Sequence, residues 1–278
     1  MQTDHTIGID IGSTCAKAVV LRQDGTLLLR QVLPTGWSSV DTAEALRQLL
    51  AEAGYPAGGT NCVATGYGRV SVPYAGKAVT EITCHAKGAC FLQQAHDLLV
   101  LDIGGQDTKI IGIRDDTVCD FLMNDKCSAG TGRFLEIMAA RLALRPKELC
   151  ALARRGSGVS ISSLCTVFAE SEVVSLIGRG EPRENIAFGV VDSIVKKVAS
   201  QRQKLGGQFS AVCLTGGLCQ CDYLPEALSA AIGQPVLTHP DGRFAGAIGA
   251  ALLLGFFSYG LLYNLKGYFQ RHKSSSDF

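Results

Sequence analysis

The chain has 278 residues, enough for one large domain or two small ones, and its 47% hydrophobic and 18% charged residues can supply a buried core. A formal net charge of +1 gives no electrostatic basis for binding nucleic acid. Eleven cysteines at scattered spacings, behind a first segment unlike a signal peptide, argue against a disulfide framework and predict a reducing, cytoplasmic location.

Alternating strand and helix patterns along the chain predict an α/β fold. We expect a first lobe over residues 1–95, in which Pro34 breaks a strand and Gly54 ends a helix. The predicted elements of this lobe are strands at 6–9, 18–21, 26–33 and 61–65 and helices at 40–53 and 81–94.

A second lobe is expected over residues 96–243, because the opening strand–turn–strand pattern recurs there. Its predicted strands lie at 98–101, 110–113, 117–122 and 211–214. Its predicted helices lie at about 130–142, 146–153, 170–177 and 183–204, and one more begins at about 218.

Residues 244–265 contain no charged side chain and are long enough to cross a bilayer. The first half of this segment is rich in Gly and Ala, which suits close packing, and the second half carries Ser258, Tyr259 and Asn264. We expect a buried helix with an amphipathic extension that packs on the first lobe. A membrane-associated helix is the alternative, because hydropathy alone does not separate the two. Residues 266–278 are expected to be a frayed polar tail.

One motif occurs twice: Asp-Ile-Gly, four further residues and Lys, at 10–17 and again at 102–109. An apolar run precedes each copy and another follows it, which predicts a hairpin with a glycine turn in each lobe. Two such hairpins facing each other would form a clamp with a carboxylate and exposed backbone N–H groups on both sides. A nucleoside triphosphate with its Mg²⁺ ion fits such a clamp.

The first glycine turn is predicted to bind the nucleotide through Gly12, Ser13, Thr14, Cys15, Ala16 and Lys17. Glycine lets the backbone come close to a phosphate, and the two hydroxyl groups add donors. Asp10 stands at the strand end, where a carboxylate can hold Mg²⁺ through water or orient an attacking water. Lys17 either neutralises phosphate or lies on an exposed strand face.

The second turn offers the same groups: Gly104 and Gly105 for phosphate, Asp102 as a catalytic carboxylate and Gln106 to position the attacking water. Lys109 carries the same two interpretations as the first lysine. A third turn, Gly216-Gly217, follows a predicted strand and permits close approach of a ring or ribose. The sequence has neither the P-loop motif nor the G-x-G-x-x-G dinucleotide motif.

These turns resemble those of the actin, hexokinase and Hsp70 ATPase superfamily. Asp10, Ser13 and Thr14 match its first phosphate motif. The segment 102–106 matches the second, and Gly216-Gly217 the adenosine motif. The resemblance implies an actin-like ATPase fold of two related lobes, each a mixed sheet flanked by helices, with ATP in the cleft between them and lobe rotation coupled to hydrolysis.

Two cysteines stand out by their position ahead of predicted helices, Cys127 and Cys165. Helix N-termini lower thiol pKa and stabilise negative charge, which suits thiolates bound to an anionic iron–sulfur cluster. The alternative is an inert buried thiol. A [4Fe–4S] cluster normally needs four thiolates, so two per chain require two chains around a two-fold axis.

Several segments, in order, resemble the activators of 2-hydroxyacyl-CoA dehydratases, a family that includes benzoyl-CoA reductase ATPase subunits. They are residues 8–13, 65–69, 102–107, 127–136, 165–172 and 245–252. The resemblance implies a homodimer that shares one [4Fe–4S] cluster through Cys127 and Cys165. It also implies ATP- and Mg²⁺-dependent transfer of a low-potential electron, taken from ferredoxin or flavodoxin, to an iron–sulfur acyl-CoA dehydratase or reductase.

Some features depart from this family or leave alternatives open. Arg243 stands where glutamine is expected in many relatives. Cys219 and Cys221 suit core packing better than metal binding, and His85 suits a helix pair with Glu81 better than a metal site. A small-molecule kinase with Asp102 as base, and a nucleotide-dependent scaffold or sensor without electron transfer, are the alternative functions.

Overall fold

The computed structural model describes residues 4–124, 126–162 and 165–254. Two five-stranded mixed sheets, one in each lobe, organise this part of the chain, and helices flank both. The α/β architecture predicted from the alternating patterns, with two lobes that each contain a mixed sheet, is confirmed.

The first sheet contains β1 (His5–Ile11), β2 (Cys15–Arg22), β3 (Leu27–Pro34), β4 (Gly59–Thr65) and β5 (Ala75–Ala78). Its order is β3-β2-β1-β4-β5. The first three strands pair antiparallel, and β4 and β5 then pair parallel beside β1. The strand β5 was not predicted, because its sequence Ala-Gly-Lys-Ala has no apolar run.

The second sheet contains β6 (Leu98–Ile103), β7 (Thr108–Arg114), β8 (Thr117–Asn124), β9 (Ala211–Gly216) and β10 (Val236–Leu237). Its order, β10-β9-β6-β7-β8, repeats the first sheet strand for strand, with the same antiparallel and parallel pairs. The two-residue β10 is too short to predict. Every residue of β6 is buried, as expected for a central strand covered on both faces.

The repeated motif has a simple structural meaning. Asp10 pairs with Lys17 across the first hairpin, and Asp102 pairs with Lys109 across the second. Residues directly opposite in an antiparallel pair project to the same face. The seven-residue spacing therefore brings each carboxylate beside its own ammonium group.

Eight α-helices occur in the described residues: α1 (Ser39–Glu52), α2 (Glu81–Gln93), α3 (Gly132–Arg141), α4 (Pro146–Ala153), α5 (Thr166–Gly178), α6 (Arg183–Leu205), α7 (Tyr223–Ile232) and α8 (Ala245–Leu252). The helix α3 begins two residues later than predicted, since Gly130 has a φ of +82° that a helix does not allow. The helix α7 also begins later than predicted, because a 3₁₀ turn at Gly217–Gln220 comes first.

The helices α2 and α8 lie together between the sheets. The α8 residues Ala247 and Ala251 pack in one apolar cluster with Val19 of β2, while Ala86 and Ala89 of α2 pack with the second sheet. The helix α2 also packs on the first sheet, through Phe91 and Leu92 beside Val19. The two helices touch backbone to backbone, because a Cβ at Gly88 or at Gly249 would overlap a carbonyl oxygen of the other helix.

The uncharged segment at 244–265 is partly described. The helix α8 accounts for its first part and packs against the first sheet. Residues 255–265 and the expected polar tail at 266–278 lie outside the described residues. Within the described ranges, the structure contains no helix with the length and apolar character needed to cross a membrane.

Candidate nucleotide site and cysteine loops

A cavity of about 440 Å³ opens where the glycine turns of the two lobes face each other. Of the residues predicted to be catalytic or to bind the nucleotide, all but Ala16 line it: Asp10, Gly12, Ser13, Thr14, Cys15, Lys17, Asp102, Gly104, Gly105, Gln106, Gly216 and Gly217. Ala16 is instead fully buried in the first-lobe core, because its side chain points to the opposite face of β2. Cys127 and Cys165 are not among the lining residues.

The two phosphate turns have the same backbone geometry. Gly12 N–H donates to the carbonyl of Cys15 at 3.2 Å, and Gly104 N–H donates to the carbonyl of Asp107 at 3.0 Å. The turns also meet across the cleft, since a Cβ at Gly105 would overlap the hydroxyl of Thr14. The motif repeat is therefore a structural repeat, and its two copies lie in contact.

Each motif lysine forms an ion pair with its own aspartate. Lys17 Nζ lies 3.3 Å from Asp10 Oδ2, and Lys109 Nζ lies 3.4 Å from Asp102 Oδ2. Lys109 is only 2% exposed, so the alternative of an exposed strand face is wrong for this residue. Two further carboxylates contact it, Asp107 at 2.8 Å and Glu81 at 3.1 Å.

These contacts keep the Asp102 carboxylate and the Lys109 ammonium group charged near neutral pH. Burial opposes the charge of Asp102, but His85 and Lys109 more than offset it and hold the pKa of this carboxyl far below its usual range. Burial likewise opposes the charge of Lys109, yet Asp102 and Asp107 raise the pKa of its ammonium group. Asp102 therefore accepts hydrogen bonds as a carboxylate, and Lys109 stays protonated.

Glu81, His85 and Asp107 also line the cleft, although the sequence did not indicate them as site residues. His85 Nδ1 lies 3.1 Å from Asp102 Oδ1, so the residue belongs to the site and not to a simple helix pair with Glu81. The spacing of Glu81 and His85 does place both on one face of α2. Nothing in the sequence shows that this face meets the second phosphate turn.

The adenosine-side turn is bonded to the second motif. Thr215 Oγ1 donates to Asp102 Oδ1 at 2.8 Å, in the register that pairs β6 with β9. Arg243 lines the same end of the cavity, and its Nε is buried without a hydrogen-bond partner among the described residues. Cys219 and Cys221 pack in the second-lobe core, as the packing interpretation expects.

The segment that carries Cys127 is anchored to the second phosphate turn. At the start of α3, Gly132 N–H donates to the carbonyl of Gly104 at 2.9 Å, and Arg133 N–H donates to that of Gly105 at 2.7 Å. The Thr108 hydroxyl, on the residue just before the second motif's lysine, donates to the Gly130 carbonyl at 2.9 Å. Any displacement of the phosphate turn is therefore passed to α3.

The two candidate metal ligands lie on adjoining loops. The hydroxyl groups of Ser128 and Thr166, the residues that follow Cys127 and Cys165, are hydrogen-bonded at 2.8 Å. Cys165 is exposed and occupies the N-cap of α5, whereas Cys127 is half-buried and precedes the N-cap of α3 by four residues. Among the described residues, no group of three or more His, Cys, Asp or Glu side chains is placed to hold a metal ion. One chain thus offers two thiols, half of a four-thiolate set.

Comparisons with known proteins agree over nearly the whole described chain. The BadF/BadG/BcrA/BcrD ATPase family is matched over residues 7–254. The activator of lactoyl-CoA dehydratase from Anaerotignum propionicum is 39% identical over 251 residues, which cover 89% of this chain and 96% of that protein. The (R)-2-hydroxyglutaryl-CoA dehydratase activating ATPase of Acidaminococcus fermentans is 38% identical over 252 residues, with 89% and 96% covered.

A solved structure shows the same fold. The activator of the 2-hydroxyisocaproyl-CoA dehydratase from Clostridium difficile, with bound ADPNP, matches with a TM-score of 0.84 and 33% identity over 92% of this chain and 96% of that one. The resemblance to dehydratase activators and the actin-like ATPase fold, both inferred from the motifs, are confirmed.

Proposed function

Because the chain belongs to the BadF/BadG/BcrA/BcrD ATPase family, we propose that it hydrolyses ATP to deliver a low-potential electron to an iron–sulfur dehydratase or reductase that acts on a CoA thioester. The observation that supports this proposal is a series of hydrogen bonds from the second phosphate turn to the two cysteine loops. Backbone hydrogen bonds join the Gly104-Gly105 turn to α3, and the Ser128–Thr166 bond joins the two cysteine loops. A nucleotide-dependent shift of the turn therefore reaches both thiols.

The cleft residues supply the hydrolytic part. Asp102 is held as a carboxylate and orients the attacking water, while the two glycine turns donate N–H groups to the phosphates. The water oxygen bonds to the γ-phosphorus as the bond to the β–γ bridging oxygen breaks, which releases ADP and phosphate. Bound Mg²⁺, held by Asp10 and Asp102 through water, would offset the phosphate charge. The Nε of Arg243, which has no hydrogen-bond partner in the described part of the chain, is a donor for the nucleotide at the adenosine end.

The cysteine loops supply the electron-transfer part. Cys127 and Cys165 from each of two copies would hold one [4Fe–4S] cluster, which supplies one-electron chemistry when it is bound. The exposed position of Cys165 leaves the shared site accessible to a second copy and to an acceptor protein. Ferredoxin or flavodoxin is the proposed electron source.

Anaerobic purification tests the cysteine assignment. The wild-type protein should carry about two irons per chain and show the broad visible absorbance of a thiolate-bound cluster. Cys127→Ser and Cys165→Ser should each lose the iron and the absorbance. Cys119→Ser is the matched control, because Cys119 is exposed on the neighbouring strand β8 and should keep both.

The complete function needs a second measurement. With ATP and a low-potential reductant, the wild-type protein should reduce a partner iron–sulfur enzyme, and a non-hydrolysable analogue should not support this. Iron retained in both single cysteine variants would refute the cluster assignment. A phosphorylated small-molecule product in place of electron transfer would establish the kinase alternative.

A further inference from the structure

The side chain of His85 lies beneath the cleft, where the two lobes meet. It projects from α2 and is 6% exposed. Most buried residues of α2 are small, and His85 is the one ionisable side chain other than a cysteine among them. A buried imidazole in this position needs polar partners on its two ring nitrogens.

One ring nitrogen faces the second lobe. Nδ1 of His85 lies 3.1 Å from Asp102 Oδ1, an oxygen that also accepts the hydrogen bond from Thr215. The two atoms are close enough for an ion pair, but Nδ1 makes no well-aligned hydrogen bond to any described residue. A small rotation of the ring or carboxylate would complete the bond, as often happens when catalytic groups tighten around a bound ligand.

The other ring nitrogen faces the first lobe. A Cβ built at Gly246 would stand 2.8 Å from His85 Nε2 and 2.9 Å from Asp10 Oδ2. The imidazole and the Asp10 carboxylate therefore border the same small space, which stays open because residue 246 has no side chain. One ring thus lies between the catalytic carboxylates of the two lobes.

The charges around the ring come from every element packed against it. Asp102 and Lys109 face it from the second sheet, and Asp10 faces it from the first. Glu81 lies one turn earlier on α2 and is engaged by Lys109. Lys109 pairs with Asp102 Oδ2, the oxygen that His85 does not contact, whereas Lys17 pairs with Asp10 Oδ2, which also borders the space beside His85 Nε2. His85 lies between the aspartates of the opposing lobes.

We propose that His85 is a positioning residue that bridges Asp10 and Asp102 and sets their separation when the lobes close on the nucleotide. The inference rests on the proposed ATP hydrolysis and adds a role that the two phosphate motifs do not contain. His85 touches neither nucleotide nor attacking water in this role. It acts through the two carboxylates, each of which must lie correctly for the phosphoryl group to be attacked.

Two near-isosteric substitutions of His85 test the roles of its two ring nitrogens one at a time. The amide nitrogen of His85→Asn can replace Nδ1 and keep the contact to Asp102. That of His85→Gln can replace Nε2 and keep the contact toward Asp10. If both contacts are used, kcat for ATP should fall ~10- to 100-fold in each variant, with KM for ATP within about 3-fold of wild type.

His96→Gln is the matched control, because His96 pairs with Asp116 at 2.7 Å on an exposed surface. It should leave kcat and KM unchanged. Gly246→Ala gives an independent test, since its methyl group would enter the space between His85 Nε2 and Asp10. It should lower kcat as well, while circular dichroism shows a folded protein.

The outcomes separate the inference from the proposed function. Absence of ATP hydrolysis in the wild-type protein with Mg²⁺ would remove the proposed function. Wild-type hydrolysis with unchanged kcat in either His85→Asn or His85→Gln would overturn the bridge. A lower melting temperature with an unchanged kcat per folded molecule would show that His85 only stabilises the fold, and would also overturn it.

Discussion

Lys109 is a charged residue of the cleft whose charge is compensated by carboxylates of the protein itself. Its ammonium group is almost fully buried and contacts Asp102, Asp107 and Glu81. Three carboxylates compensate one cation, so little of its charge is left for a phosphate. Lys17 is different, because Asp10 is its one ion-pair partner among the described residues and it is more exposed. The phosphate-neutralising role therefore fits Lys17 better than Lys109.

Lys109→Met tests this difference through stability. The substitution leaves three carboxylates without their shared cation, and breaking such a buried network typically costs about 3–5 kcal/mol. The free energy of unfolding, measured by urea denaturation, should fall by about that amount. Lys17→Met is the control and should lose much less while raising KM for ATP. Equal losses of stability in the two variants would contradict the assignment of roles.

The pair α2 and α8 is the element on which both lobes rest. Its close contact is made by backbone, with Gly88 against Ala245 and Gly249 against Cys84. Side chains that interdigitate would resist sliding, whereas small residues leave a smooth surface. Such a contact would let the pair adjust in the proposed lobe rotation, and the pair carries His85 at its cleft end.

Gly88→Ala should disrupt this contact. The added methyl group meets the carbonyl of Ala245 and not a flexible side chain, so overpacking should lower the free energy of unfolding by about 1–3 kcal/mol. Gly178→Ala is the matched control, because Gly178 is the last residue of α5 and has open space around it. Its effect on the denaturation midpoint should be neutral or slightly stabilising. A loss as large as that of Gly88→Ala would show that the cost is not steric.

The same elements show what the sequence could predict. The duplicated motif and its apolar flanks are local signals, and they identified both hairpins and the turn residues on the cleft. Ala16 was assigned to the site because it lies inside the motif, although strand alternation turns it into the core. His85 and Glu81 were missed as site residues because their role depends on how α2 packs on the second sheet, which no local pattern encodes.

At the scale of the whole molecule, the proposed cluster requires two chains, because the two cysteine loops of one chain supply two thiols. Two exposed apolar side chains, Val167 and Phe168, lie in the first turn of α5, two and three residues after Cys165. Apolar exposure beside a half-complete ligand set suits contact with a second copy around a two-fold axis. The dimer would then be held by cluster and protein contacts together.

Removal of the iron should weaken that dimer. The anaerobic protein should have twice the 29.4 kDa mass of one chain by light scattering. After chelation, the dimer dissociation constant should rise by at least about 10-fold, because ligand bonds that link the copies are lost. Phe168→Ser should add to this effect without removing iron at high protein concentration. A chain that stays monomeric with iron bound would refute the shared site.

The two sheets have matching strand orders, but the segments that connect their third and fourth strands differ in size. Between the third and fourth strands, the first lobe inserts only α1, whereas the second inserts α3, α4, α5 and α6. Both lobes present equivalent turns to the cleft, but within the described residues only the second lobe carries four helices between these strands. The two lobes are therefore similar in their glycine turns, whereas the four-helix insertion and the two cysteine loops belong to the second lobe. In the proposed mechanism, a nucleotide-driven movement would therefore reach the cysteine loops through the second lobe, which carries the helices attached to them.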